Sequence, residues 1–419
     1  MNLIERGEKT LLILSGGTEA VEGIKIAKEM GLNVIVCDRN PDAPGRLLAD
    51  WFICADIYNP IDVTSKVLHF ARYHMIDGVM TIASDAVRSV AELTELLRLP
   101  GISKDTAFIT TEKLVMKKVL SESGVPVPRF AGIQSVEELR EKIEDFERAV
   151  IKPVDSRGAR GVIRVTPQDN LEEAFHRAIR HSPSGRLIIE EWLNGPQISA
   201  EAVVVKGRVY LCGVADRNYS RLDETYPYVI EDGGETPSRF SPHIDESIKE
   251  VLQDVAEAIG LEDGVIKADI VLKDGVPVII EVASRLSGGF FSTITIPLVY
   301  GINIIGMAIL LALGMEVAPP ETLKPLSYQA NRFIFTEPGT VTKIVAPQED
   351  ELPDYVKYFS INAKEGDQLE PITDHTKRRG SVLVCADSRE EAIERAELII
   401  NSIYIEVDTH RQLTDMCEV

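Results

Sequence analysis

The chain has 419 residues, 44% of them hydrophobic and 26% charged, a composition that can bury sizeable cores. At roughly 100 to 200 residues per compact unit, this length predicts about three units. With 66 acidic against 45 basic residues the formal net charge is -21 and no Lys/Arg block interrupts it, so nucleic acid and anionic membranes are poor partners.

Residues 10–14 read as a strand, 20–30 as a helix, 33–37 as a strand, 63–73 as a helix, 78–83 as a strand and 86–97 as a helix. This is a βαβ series with a parallel sheet. The first strand runs into Ser15-Gly16-Gly17-Thr18 and the second ends on Asp38. The glycine spacing is not G-x-G-x-x-G, so the turn reads as lining a small-molecule cleft rather than a dinucleotide. Residues 112–123 are helical and stop at Gly124 before Pro126 and Pro128. Residues 135–148 form an amphipathic helix opened by Ser135 with Glu138 three residues on, a capping box.

Residues 149–153 and 162–165 read as a hairpin around a glycine-containing loop; 187–189, 198–205 and 209–214 are further strands. The uncharged stretch 296–315 has the length of a membrane span, about 20 residues, but Pro297, Gly301, Asn303 and Gly306 and the lack of basic flanks favour a buried core helix. Ala318-Pro319-Pro320 marks a linker; beyond it lie strands at 332–335 and 381–385 and a helix at 388–400 opened by Ser388. The odd set of five cysteines (Cys37, Cys54, Cys212, Cys385, Cys417), with no C-x-x-C pair, reads as reduced thiols in a cytoplasmic protein. The N-terminal residues carry both signs of charge, and the apolar run 11–14 is too short for a signal segment.

The most informative pattern lies in 265–282. Even positions are apolar throughout: Ile266, Ala268, Ile270, Leu272, then Val276, Val278, Ile280, Val282. Two strands with one core face need an odd-numbered turn between them, since a two-residue turn would flip one strand. A three-residue turn, Lys273-Asp274-Gly275, sets Leu272 opposite Val276 and Asp269 opposite Ile279, diagonal to Glu281. The two carboxylates then share the other face, either as solvated positions or as ligands of one hard cation. Val271, Pro277 and Ile279 on that face argue that it is covered, and covered carboxylates need partners such as Mg²⁺ on substrate phosphates.

Thr111-Glu112-Lys113, Val150-Ile151-Lys152-Pro153, the loop from Asp155 to Gly161, Ile189-Glu190-Glu191-Trp192-Leu193, Gly195-Pro196-Gln197-Ile198-Ser199-Ala200-Glu201 and the Asp269/Glu281/Arg285 hairpin occur in the order seen in ATP-grasp enzymes. The chain resembles that superfamily over essentially its whole length. It is most similar to the carboxylate–amine ligases that join L-amino acids, and also similar to the ATP-grasp units of biotin carboxylase and carbamoyl-phosphate synthase. The resemblance implies an α/β and α+β protein: an ATP-grasp fold with an N-terminal Rossmann-like pre-ATP-grasp domain and a C-terminal biotin-carboxylase-like domain. The implied boundaries are 1–108 (pre-ATP-grasp domain), 109–188 (small or lid subdomain), 189–319 (large subdomain with the metal site) and 320–419 (C-terminal domain).

By the same resemblance, Lys113 and Lys152 meet the ATP phosphates, and Ser156 and Gly158 lie in a flexible flap over the triphosphate. Glu190, Glu191 and Leu193 form the adenine hinge, and Glu201 contacts the ribose. Asp269 and Glu281 hold Mg²⁺ or Mn²⁺, and Arg285 stabilises charge on an acyl phosphate and its tetrahedral adduct. Each has a plainer alternative, such as a surface lysine at 113 or an Arg285–Glu281 salt bridge. The place where these enzymes commonly carry a metal-contacting asparagine is Ala283, which cannot ligate. That substitution, followed by Arg-x-x-Gly-Gly, resembles the L-amino acid ligases, with Gly288 and Gly289 offering N–H groups to a substrate carboxylate or acyl phosphate.

The remaining substrate candidates are Ser15, Gly16, Gly17, Ser84, Asp85 and the Arg378-Arg379 pair, which could equally be helix caps and a solvated basic pair. The expected function is amide formation from ATP, a small-molecule carboxylate and an amine through an acyl phosphate, an amino acid being one or both substrates. A ligase or carboxylase using another carboxylate or bicarbonate, and a nucleotide-binding regulator without turnover, are the alternatives. The expected assembly is a homodimer.

Overall fold

The structure is a computed structural model and describes residues 7–409; Cys417 and the opening residues 1–6 of the sequence lie outside them. The described residues form two discontinuous compact units, 7–127 with Ser199–Val214 and Phe240–Pro325, and Pro128–Ile198 with Ala215–Arg239 and 326–409.

The first unit begins with the expected parallel sheet, in the order Trp51–Cys54, Asn33–Asp38, Thr10–Leu14, Gly78–Met80. Leu11 to Leu14 are fully buried, as a strand covered on both faces requires. Strand Trp51–Cys54 was not foreseen. The second helix runs Pro60–Phe70 rather than 63–73 because the Asn59 side chain caps it, accepting from Ile61 N at 3.1 Å, with Pro60 in the first turn. The Asp38 carboxylate accepts from Gly16 N at 2.8 Å and Asn40 N at 2.8 Å, so it braces the glycine turn.

The uncharged stretch 296–315 is not one helix. A turn at Phe291–Thr295 leads into Ile296–Tyr300, which ends on left-handed Gly301 (φ 67°), and a second helix, Ile304–Ala312, starts at Asn303, whose side chain accepts from Gly306 N at 2.8 Å. The second helix is packed as a core helix: a Cβ at Gly78 would stand 2.7 Å from the Ala312 carbonyl oxygen. Among the described residues no helix is long and apolar enough to cross a membrane.

Strands Gly264–Lys273 and Val276–Ala283 pair as an antiparallel hairpin at the edge of a sheet that continues through Gln197–Val205 and Arg208–Asn218. Its register corrects the three-residue turn. Lys273 pairs with Val276 across a two-residue turn, Asp274-Gly275, both left-handed (φ 53° and 82°), as the Asp-Gly hairpin turn favours. The parity this would invert is restored by a bulge between Asp269 and Ile270, which leaves Ile280 unpaired and sets Asp269 directly opposite Glu281. Val276, expected in the core, is 54% exposed at the turn.

In the second unit an antiparallel sheet, in the order Phe130–Ile133, Leu187–Glu191, Ala149–Pro153, Ile163–Val165, is covered by helices Val136–Ile143 and Leu171–Ile179. Ser135 caps the first helix as expected, its Oγ accepting from Glu138 N at 3.1 Å, but the helix ends at Ile143, short of 148. The C-terminal part pairs Gly233–Thr236, Tyr328–Phe333, Gly380–Ala386 and Val356–Ile361 in that order, and helix Arg389–Ile400, capped by Ser388, packs on them.

Candidate functional site

The predicted residues fall into two groups, one in each unit. In the first unit Lys113 opens helix Lys113–Glu122, whose N-cap is Glu112. Its ammonium, almost fully buried, stands 3.1 Å from Glu281 Oε1. Glu281 faces Asp269 across the hairpin, and Asp269 pairs with Lys267 at 2.5 Å. Two carboxylates are thus brought side by side with two ammonium groups balancing them. The Glu281 side chain keeps more than a third of its surface open. Among the described residues no cluster of three or more His, Cys, Asp or Glu side chains could hold a metal alone. The pair nevertheless fits Mg²⁺, a hard cation that binds through one or two carboxylates and completes its shell with water and substrate phosphate oxygens.

Arg285 lies just beyond the hairpin. Its Nε donates to Asp85 Oδ1 at 2.7 Å and its Nη1 to the Leu286 carbonyl at 3.0 Å, so the Glu281 salt bridge considered as its plain alternative is replaced by one to Asp85. Burial works against its charge, but the Asp85 carboxylate, with Glu281 and Glu201 adding to it, holds the guanidinium above its ordinary pKa. Ser84, next to Asp85, turns its hydroxyl to Tyr58 Oη at 3.2 Å. The Ser15-Gly16-Gly17 turn leads into Glu19, whose Oε2 accepts from Gly289 N at 2.8 Å. Three predicted substrate stretches (15–17, 84–85, 288–289) and the predicted catalytic Arg285 are therefore linked in two pairs, 84–85 with Arg285 and, through Glu19, 15–17 with 288–289. The Gly289 N–H, expected to meet a substrate, is engaged by Glu19.

Glu201, expected at the ribose, lies inside the first unit. Its carboxylate is fully buried and accepts from Ser287 N at 2.9 Å and from Ser292 Oγ at 2.8 Å on both oxygens. Burial pushes its pKa up to about 7, with the bonds from Ser287 and Ser292 and the charge of Arg285 pulling the other way.

In the second unit Lys152 and Glu190 form a buried ion pair at 2.9 Å, their side chains 6% and 1% exposed. The strand register explains it: Lys152 pairs with Ile188 and Val150 with Glu190, so lysine and glutamate are diagonal neighbours on one face. Glu191 pairs with Arg129 at 3.1 Å, and Leu193 is buried. The loop carrying Ser156 and Gly158 has left-handed backbone at Gly158, Ala159 and Gly161 (φ 65°, 60° and 72°). Its stem is pinned where Asp155 accepts from Ser182 Oγ (2.8 Å) and Ser184 N (2.9 Å), and the Gly158 carbonyl accepts from His375 N at 3.1 Å.

A cavity of about 520 Å³ opens beyond the end of strand Leu187–Glu191, lined by Trp192, Leu193, Gln197, Arg217, Asn218 and Arg239 among others. Gln197, four residues before Glu201, is a polar residue of that strand on the cavity; the only signal for it was the shared strand parity. Arg378 and Arg379 are not a solvated pair. Arg378 lies over the Phe333 ring with Glu231 nearby, and Arg379 is buried, its Nε donating to Thr336 Oγ1 at 3.3 Å.

Three family models match: "ATP-grasp N-terminal domain" over residues 24–101, "ATP-grasp domain" over 110–289 and "L-amino acid ligase C-terminal domain 2" over 332–408. A formate-dependent phosphoribosylglycinamide formyltransferase of Prochlorococcus marinus (strain MIT 9303) is 32% identical over 191 residues, 44% of this chain and 48% of that protein, so this match spans about half of the relative's length. The protein of that name from Saccharolobus solfataricus is 24% identical over 401 residues, 93% of this chain and 95% of its own. The L-amino acid ligase of Bacillus licheniformis superposes with a TM-score of 0.80 at 22% identity, covering 96% of this chain and 100% of that one, which is a likeness of fold. Over residues 24–101 and 110–289 the chain thus carries the N-terminal and central domains of the ATP-grasp fold, the fold of enzymes that use ATP and Mg²⁺.

Proposed function

We propose that this protein is a Mg·ATP-dependent ligase that joins a carboxylate to an amine through an acyl phosphate, with an amino acid as one or both substrates. The observation that carries this reading is the hairpin: Asp269 opposite Glu281, Lys113 at 3.1 Å from Glu281, and Arg285 four residues on. A carboxylate oxygen attacks the γ-phosphorus of ATP and the bond to ADP breaks, giving an acyl phosphate. The amine nitrogen then attacks the acyl carbon, phosphate leaves, and the amine proton is lost to solvent. Mg²⁺ held by Asp269 and Glu281 would supply the charge neutralisation that phosphate oxygens need. Lys113 brings a positive charge beside that pair, and Arg285, kept ionised by Asp85, is suited to an oxyanion.

Lys152, Ser156, Gly158, Glu190, Glu191 and Leu193 are assigned to the nucleotide, and Ser15, Gly16, Gly17, Ser84, Asp85, Gly288 and Gly289 to the substrates. Ala283, which offers no donor, leaves metal binding to the two carboxylates. The match of residues 332–408 to an L-amino acid ligase domain supports an amino acid substrate. The boundaries near 108, 188 and 319, a homodimer and a cytoplasmic setting with reduced cysteines complete the proposal.

A second reading has its own support. The relative from Saccharolobus solfataricus named formate-dependent phosphoribosylglycinamide formyltransferase aligns over 93% of the chain, which favours formate as the carboxylate and a phosphorylated glycinamide as the amine. Phosphate release from ATP with amino acid pairs, and with formate plus that amine, decides between them when the products are weighed by mass spectrometry. Release that requires an amino acid pair supports the first; ATP binding without release under any pair overturns both in favour of a regulator. Glu281→Gln should abolish release, and full amide formation by that variant would falsify the metal assignment.

A further inference from the structure

The loop 284–292 carries Arg285, Gly288 and Gly289, and it has no regular structure of its own up to the turn at Phe291. What fixes it is a set of contacts from distant parts of the first unit. Ser284 Oγ meets Thr110 Oγ1 at 2.8 Å, Arg285 meets Asp85, and Gly289 N meets Glu19. At its centre, Ser287 N and Ser292 Oγ both donate to Glu201, which projects from the middle of strand Gln197–Val205. Ser292 Oγ also lies 3.2 Å from the Ser287 carbonyl, so the loop closes on itself around one carboxylate.

Glu201, Ser287 and Ser292 are 0%, 3% and 0% exposed. A carboxylate removed from water at several kcal/mol cost is an expensive way to hold a loop, unless its charge serves the group the loop carries. The charged and titratable groups that face it are Arg285 from the loop and the Cys212 thiol from strand Arg208–Asn218. We infer that Glu201 is a positioning residue: a buried carboxylate that gathers the 284–292 loop and thereby sets the Arg285 guanidinium for acyl transfer. The inference rests on the ligase reading above for its kinetic consequence and on geometry alone for the anchoring. Its ionised form accepts every bond the loop offers. The neutral acid gives up one acceptor, so activity should fall as pH drops through the neutral range in which burial places its titration.

The test compares wild type, Glu201→Gln and Ser292→Ala by kcat and KM for ATP from pH 5.5 to 9, and by hydrogen–deuterium exchange of the 284–292 peptide. Expected are a fall in kcat of about tenfold or more for Glu201→Gln and a smaller fall for Ser292→Ala. KM for ATP should stay within about twofold, the acid limb of kcat should vanish in Glu201→Gln, and exchange at Ser287 should speed at least tenfold. A rise in KM at constant kcat, or unchanged exchange with the acid limb retained, would overturn the inference. If wild type turns over no substrate pair, the ligase reading fails, and the exchange measurement still decides whether Glu201 anchors the loop. If Glu201→Gln does not fold, Ser292→Ala removes one bond while keeping the carboxylate and reads the same quantities.

Discussion

Replacing Lys152 by Met tests the buried pair in the second unit most directly. Met keeps the apolar stem of the side chain and removes the ammonium 2.9 Å from Glu190, in a place where both side chains are at most 6% exposed. An exposed pair would contribute about 0 to 1 kcal/mol, but breaking a buried one leaves a desolvated carboxylate without its cation, a cost of about 3–5 kcal/mol. Glu190→Gln removes the other charge. In the double variant an apolar thioether faces a neutral amide with no buried ion, so the loss should be smaller than the sum of the two single losses by at least about 2 kcal/mol. Urea unfolding of the four proteins, followed by far-UV circular dichroism at pH 7 and one ionic strength, measures that coupling. A Lys152→Met loss under about 1 kcal/mol, or strictly additive losses, would refute the reasoning, because it would mean that water reaches the pair. The same variant should raise KM for ATP or abolish turnover if Lys152 also serves phosphate.

Glu201 gives a pH signature of stability. Its folded pKa is raised from 4.5 to about 7, so the folded state holds the proton more tightly than the unfolded chain, and the associated stability, about 3 kcal/mol, is present below pH 4.5 and lost as pH rises through 7. The stability of Glu201→Gln relative to wild type should therefore rise by about that amount between pH 4.5 and 7.5 in urea titrations; parallel profiles would contradict it. Gly275 sits at φ 82° in the hairpin turn, so Gly275→Val should cost about 1–2 kcal/mol in the same assay, and a loss below a few tenths would show that the turn tolerates side chains. Burial pushes the Cys37 thiol up to about 12, whereas Cys54 is exposed, so a disulfide reagent at pH 8 should modify Cys54 and spare Cys37 until the protein unfolds. Mass mapping of the labelled peptides checks this, and early labelling of Cys37 would count against the buried strand.

The hairpin shows how far one-dimensional patterning reaches. Alternation placed Asp269 and Glu281 together on the face opposite Ala268 and Val282, and they are together. The route was different, because a two-residue turn and a bulge produce the same parity as a three-residue turn without one. Periodicity reports which side a residue takes, and it cannot see where an extra residue is absorbed. For the same reason the apolar run 296–315 was legible as buried but not as two short helices separated at Gly301, since hydrophobicity says nothing about where the chain turns to pack.

The sequence by itself determined the alternating elements, the helix caps at Ser135 and Ser388, the apolar strand centres and the residue types that suit phosphate, metal and oxyanion, because these follow from neighbours within a few residues. Tertiary structure alone decided the partners. Arg285 meets Asp85 across 200 residues of chain, Gly289 meets Glu19 across 270, and Ser287 meets Glu201 across 86. No local propensity encodes such distances. They arise when strands and helices bury their apolar faces, and that packing sets the Glu201 carboxylate against Ser287 and Ser292 of the loop that carries Arg285.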